Sequence, residues 1–173
     1  MDALVAVNYQ HAKSIRMWKA CCEDEGVRAI CSYVKICNSV VILELLDNSI
    51  TSLGCEFISK ILHPSARTNI LVLKLDHNNF GSEGIKYLSE GLRQNKCITH
   101  LSLTYCGIDS SGARPIFEIL IFQQSTLEEI NLGGNHLRNE GTILVLKGVQ
   151  VAKSLKKVFL SDNQFSEEDD VLD

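Results

Sequence analysis

The chain has 173 residues, long enough for one well-buried domain and short for two. Its apolar content of 45% argues against disorder, and its net charge of −4 comes from signs interleaved along the chain. This leaves no basic stripe for nucleic acid, no polybasic segment for an anionic membrane, and no apolar run near the roughly 18 residues of a membrane span.

The N-terminus, MDALVAVNYQ, carries Asp2 and only five apolar residues in a row. It lacks the basic start and long apolar core of a secretion signal. Residues 1–11 are too few for a whole repeat and are expected to form a partial N-terminal cap. Cysteines stand at 21, 22, 31, 37, 55, 97 and 106, seven in all, without a C-x-x-C. That pattern suits neither a disulfide framework nor a structural zinc. Thiols used as small apolar side chains point to the cytoplasm, or the nucleus.

From residue 12 to 165 the chain repeats. Asn48, Asn78, Asn135 and Asn163 fall in one column, with Cys106 where a further Asn is expected; the intervals are 30, 28, 29 and 28. Eight residues earlier lie Val40, Ile70, Ile98, Leu127 and Leu155, and five earlier lie Leu43, Leu73, Leu101, Ile130 and Val158. Three earlier lie Leu45, Leu75, Leu103, Leu132 and Leu160, and two later lie Ile50, Phe80, Ile108, Leu137 and Phe165. Chance would make all of these apolar about once in ten million trials. A degenerate first copy puts Ala20 in the column, so six units start near residues 12, 40, 70, 98, 127 and 155.

Within a unit, L-x-L reads as a short strand with alternate side chains pointing inward. Stacked Asn side chains would form a ladder that satisfies buried loop backbone, with Cys106 as a weaker donor of similar size. Gly54, Gly84, Gly112 and Gly141 lie six residues after the column. Each is expected to mark the turn into a helix, where a side chain would collide or φ is unusual. Apolar residues then recur at helical spacing: Phe57, Ile58, Ile61 and Leu62; Tyr87, Leu88 and Leu92; Ile116, Phe117, Ile119 and Leu120. Pro115 falls in a first helical turn, where its missing N–H costs nothing. At the far end Asp169 stands where the glycine column would continue. SEEDDVLD, residues 166–173, reads as an acidic C-terminal tail or as the point where a larger solenoid continues. In both cases the last strand, VFL, is expected to have an open outer edge.

The stretch LKLDHNNFGSEGIKYLSEGLRQNKCITHLSL resembles a leucine-rich repeat of the ribonuclease-inhibitor type, and LSLTYCGIDSSG resembles its Cys-containing variant. The subclass is shared with NOD-like receptors, the Ran GTPase-activating protein and tropomodulin. The resemblance covers residues 12–165 and implies an α/β right-handed solenoid of about six repeats in an intracellular setting. Parallel strands would line the concave face and helices the convex face. It is specific for fold and unspecific for function.

Strand alternation names the outward side chains. One column holds Arg16, Glu44, Lys74, Ser102, Asn131 and Phe159; the next holds Trp18, Leu46, Asp76, Thr104, Gly133 and Ser161. A third holds Lys19, Asp47, His77, Tyr105, Gly134 and Asp162. Trp18 beside Leu46 is either an interface anchor or part of a cap, and Phe159 has the same two readings near the other end. Asp76, His77, His100, Thr104 and Tyr105 offer mixed donors and acceptors. The candidate partner-binding set is therefore Trp18, Glu44, Leu46, Lys74, Asp76, His77, His100, Thr104, Tyr105, Asn131 and Phe159. The structural ladder is Asn48, Asn78, Cys106, Asn135 and Asn163.

Chemistry is harder to place. His77 and His100 could approach across adjacent strands near Asp76, but no third dependable ligand converges, so no metal is expected. LGGN is the repeat's own turn and not a phosphate loop, and Cys22 occupies a core slot. No catalytic residue or cofactor is expected. The expected function is a non-catalytic scaffold whose concave face binds another protein, with no nucleic-acid or membrane partner. The rest of a larger chain could contact the C-terminal end. Besides the sensing half of a NOD-like receptor, for which these residues hold no nucleotide-binding module, two alternatives come from the resemblance. One is a GTPase-activating module of the Ran type, for which no catalytic loop residue aligns. The other is an actin-capping or regulatory repeat domain of a larger protein, whose actin-binding helix is not recognisable here.

Overall fold

The computed structural model describes residues 11–122 and 126–165; the cap expected in residues 1–11 and the tail in 166–173 lie almost wholly outside them. Strands and helices alternate within these residues. The order is β1 (Ser14–Trp18), α1 (Glu23–Ile36), β2 (Ile42–Leu46), α2 (Ser52–Leu62), β3 (Val72–Lys74), α3 (Gly81–Leu92), β4 (His100–Ser102), α4 (Ala113–Phe122), β5 (Glu129–Asn131), α5 (Arg138–Val151) and β6 (Lys157–Phe159). Short 3-10 turns at Pro64–Ala66 and Ser110–Gly112 follow α2 and precede α4.

The strands form one parallel sheet in sequence order. Its register runs Arg16, Glu44, Lys74, Ser102, Asn131, Phe159 straight across. Each crossover is a helix, as parallel neighbours require. The sheet therefore forms one face of an α/β solenoid and the helices the other. Leu43, Leu45, Leu73, Leu75, Leu101, Leu103, Ile130 and Leu132 point inward and are fully buried against Ile58, Ile61, Leu88, Leu92, Ile116 and Ile119. Each such side chain contributes about 1.5–3 kcal/mol. At the two ends of the described sheet Ile15, Met17, Val158 and Leu160 are partly buried against the same core.

The ladder is explicit. Asn78 is fully buried; its amide donates to Leu45 O, Leu75 O and Asp76 O, and its Oδ1 accepts from Asn48 N and Ile50 N. Asn135 repeats this pattern one turn on, donating to Leu103 O, Leu132 O and Gly133 O and accepting from Cys106 N and Ile108 N. Asn48 and Asn163 sit likewise near the ends. Cys106 reaches Leu75 O and Thr104 O, both at 3.4 Å, through a thiol that supplies one weak donor where Asn supplies two.

The loops after the ladder alternate between two forms. In the first, third and fifth repeats the left-handed residue lies three past the column: Glu23 (φ 49°), Gly81 (φ 67°) and Arg138 (φ 56°). The N–H of each donates to the next column's carbonyl, on Asn48, Cys106 and Asn163. The second, fourth and sixth repeats place it one past the column, at Ser49, Gly107 and Gln164; the first repeat carries one there as well, at Cys21 (φ 50°). Helices α2 and α4 are then approached through side-chain caps, Thr51 accepting from Leu53 N and Asp109 from Ser111 N.

The glycine column serves close packing. Gly54, Gly84 and Gly141 lie inside the first helical turn, not before it, and none has positive φ. A Cβ on Gly84 would meet Phe80 Cδ2 at 2.5 Å, and one on Gly112 would meet Ile108 Cγ2 at 2.4 Å. Of the two reasons expected from the sequence, collision is the one that applies. Positive φ belongs instead to the residue just before the ladder: Lys19, Asp47, His77, Tyr105, Gly134 and Asp162 all adopt it.

Candidate protein-binding face

The sheet presents four rows to solvent, one more than expected. The additional row, two residues N-terminal to Arg16 and its equivalents, is Ser14, Ile42, Val72, His100, Glu129 and Lys157. Alternation extended by one step would have found it. Its apolar members, Ile42 and Val72, are half-buried beside Leu46. With Lys74, His100 and Asn131 they line a shallow depression of about 430 Å³.

Trp18 ends β1 next to Leu46 and is 73% exposed, with Lys19 Nζ 5.7 Å from its ring centroid. Phe159, on the edge strand β6, is 43% exposed. The two aromatic residues thus lie at opposite ends of the sheet. Between them the charged side chains pair. Glu44 is held by Arg16 Nε at 3.1 Å and Lys74 Nζ at 3.1 Å, Lys19 faces Asp47 at 3.6 Å, and Lys157 faces Glu129 at 3.1 Å. Exposed pairs of this kind add little stability but fix a pattern of charge.

Asp76 differs from its expected role. It is 8% exposed, and one carboxylate oxygen accepts from Ser102 Oγ (2.6 Å), Thr104 N (2.7 Å) and Thr104 Oγ1 (2.7 Å). These bonds occupy Oδ1 and engage both Thr104 donors, so the two residues brace the face from within. Asn131 is partly engaged as well, its Oδ1 accepting from Gly133 N at 3.1 Å.

His77 and His100 do not approach each other. His100 pairs in register with Val72, and His77 lies five residues past Val72, a separation on the order of 15 Å along the strand. His77 instead stacks on Tyr105, while His100 Nδ1 lies 2.8 Å from Thr99 Oγ1. Among the described residues no group of three or more His, Cys, Asp or Glu is placed to hold a metal.

All seven cysteines are free. Burial pushes the Cys31 thiol up to about 12 and raises Cys55 and Cys106 well above the ordinary thiol range, so these three have no thiolate to react. No helix among the described residues is long and apolar enough to cross a membrane.

Comparisons with known proteins agree with this geometry. The Leucine Rich repeat family matches residues 67–89, 94–117 and 123–145. Human NACHT, LRR and PYD domains-containing protein 3 is 33% identical over 151 residues, 84% of this chain and 14% of that protein. Mouse ribonuclease inhibitor is 26% identical over 149 residues, 84% of this chain and 32% of the inhibitor. The chain thus spans a third or less of these relatives. Among solved structures, leiomodin-1 actin-binding site 2 superposes with a TM-score of 0.66 at 20% identity, covering 86% of this chain and 87% of that one, a likeness of fold. The ladder, the paired loop forms and these relatives together make the chain a leucine-rich-repeat protein of the ribonuclease-inhibitor type.

Proposed function

We propose that the chain is a non-catalytic scaffold that holds a partner protein against its concave sheet. The observation that supports this best is the exposed Trp18 beside half-buried Leu46, at one end of a sheet whose other end presents Phe159. Exposed aromatic residues anchor interfaces through large desolvated contacts. The backbone beneath them is locked by the Asn ladder and by Asp76, so little ordering remains to be done on association. Glu44, Lys74, His77, His100, Tyr105 and Asn131 would supply polar specificity between the anchors. Free thiols throughout fit a reducing compartment, and the proposed setting is the cytoplasm.

The test is affinity capture from cell extract with the wild-type chain and with a Trp18→Ala, Lys74→Glu variant. Loss of the captured protein with an unchanged thermal melt supports the reading. Unchanged capture moves binding to the helices or the ends of the solenoid. Faster phosphate release from a Ran-like GTPase would replace the scaffold with a GTPase-activating role, and altered actin-filament elongation would replace it with an actin-regulatory one.

A further inference from the structure

The interval from Asn48 to Asn78 is 30 residues, the longest of the series, where the others are 28 or 29. The additional residues fall in the loop after α2, HPSARTN, residues 63–69. There Pro64–Ala66 forms a 3-10 turn capped by His63, whose Nδ1 accepts from Ser65 N at 3.2 Å. Arg67 follows in the left-handed conformation, φ 54°, held by its N–H to Pro64 O at 3.2 Å. An arginine there costs about 1–2 kcal/mol where glycine would cost none.

This longer loop and the next one, around Gln94 and Cys97, line an open cavity of about 650 Å³. Its floor is fixed by Asn95, which donates to Leu62 O at 2.7 Å and accepts from Cys97 N and Ile98 N at 2.8 and 2.9 Å. Leu62, Pro64 and Cys97 supply apolar wall, and Arg67 and Lys96 supply charge. No carboxylate lines the cavity, and among the described residues neither cation makes an ion pair. Two other depressions differ in this respect. The concave one sets Glu44, Asp76 and Glu129 around Lys74, and the groove between α3 and α4 sets Glu90 and Glu118 among its arginines. In a protein of net charge −4, a cavity with two unneutralised cations is a distinct feature.

We propose that this cavity binds a small phosphomonoester, with the phosphoryl group held between Arg67 and Lys96 and the organic part against His63, Pro64 and Leu62. Arginine offers a planar fork of donors to phosphate oxygens and lysine a point charge, which together balance a dianion. The volume lies within the range of small-molecule sites, and the anchored floor needs no rearrangement to receive one. The site is independent of the concave sheet, so the proposal stands or falls apart from the scaffold reading.

The experiment is a ¹H–¹⁵N NMR titration of the whole chain with phenyl phosphate as probe, with inorganic phosphate and phenol as competitors. Saturable shifts are expected at the Arg67, Thr68, Lys96 and Cys97 amides, displaced by inorganic phosphate and not by phenol. Arg67→Gly, which keeps the left-handed backbone, and Lys96→Gln should each weaken binding about tenfold or more. Phenyl phosphate should also slow iodoacetamide alkylation of Cys97 while leaving the exposed Cys21 unaffected. Absence of saturable shifts, displacement by phenol alone, or unchanged binding in both variants would overturn the proposal.

Discussion

Tyr105 stacks on His77 of the preceding repeat, with ring centroids 4.9 Å apart and planes 10° from parallel. Both residues are left-handed, and the Tyr105 hydroxyl reaches toward Asp162 at 3.4 Å. The ring therefore crosses the repeat between, where Gly134 stands: a Cβ there would lie 2.4 Å from Tyr105 Cδ1, and φ is 68°. One glycine serves both the backbone and the ring above it.

Gly134→Ala should lower stability by about 1–2 kcal/mol through its left-handed backbone and also push the tyrosine aside. Urea unfolding reads the first effect, and loss of the ring-current shift on the His77 imidazole protons reads the second. Tyr105→Ala should abolish the same shift with little change in the urea midpoint, because the ring is 50% exposed. An unaltered His77 spectrum in both variants would mean the stack is not populated in solution.

Asn135→Ala removes five hydrogen bonds to buried backbone groups, of which Leu132 O and Gly133 O keep a second donor, and should cost about 3 kcal/mol. Cys106→Ala removes one weak donor and should cost about 1 kcal/mol. Equilibrium denaturation of the pair checks the order. Equal losses would refute the ladder as the source of stability.

Gly91→Ala should destabilise by about 1–3 kcal/mol even though alanine is the better helix former. A Cβ at Gly91 in α3 would sit 2.4 Å from Ser59 O in α2, a backbone atom that cannot swing away. The reading is a calorimetric melt. A raised midpoint would show that α2 and α3 pack less closely than described.

Asp109 is held below the usual carboxylate range by hydrogen bonds from Ser111 and then Ser82. A folded-state value below the unfolded one adds stability above the unfolded pKa, and this is lost as pH falls through the folded value. Wild type should therefore lose more stability than Asp109→Asn between neutral pH and the acid range below 4. Parallel denaturation curves at several pH values test this, and identical acid losses would count against it.

The repeat was legible because each unit puts the same apolar side chains at the same offsets, and stacking identical units leaves few ways to bury them. The ladder column, the inward leucines and the outward direction of Trp18 and Phe159 all follow from that period. Several features did not. Alternation puts Asp76 in the outward row because it gives only the direction of a side chain. What turns it into support is the pair of hydroxyls in the next repeat, Ser102 and Thr104, 26 and 28 residues away. His77 and His100 sit in adjacent repeats, yet lie apart along the strand direction.

What the sequence alone determined is the periodic part: the solenoid, its register, its buried column and the side it presents. Offsets within one unit suffice for those, because hydrophobic burial acts on every copy alike. Only the tertiary structure decided the alternation of loop forms, the tilt of Tyr105 over Gly134 and the cavity behind residues 63–69. Each arises from how one turn meets a different next turn, and contacts between unlike neighbours leave no period to read.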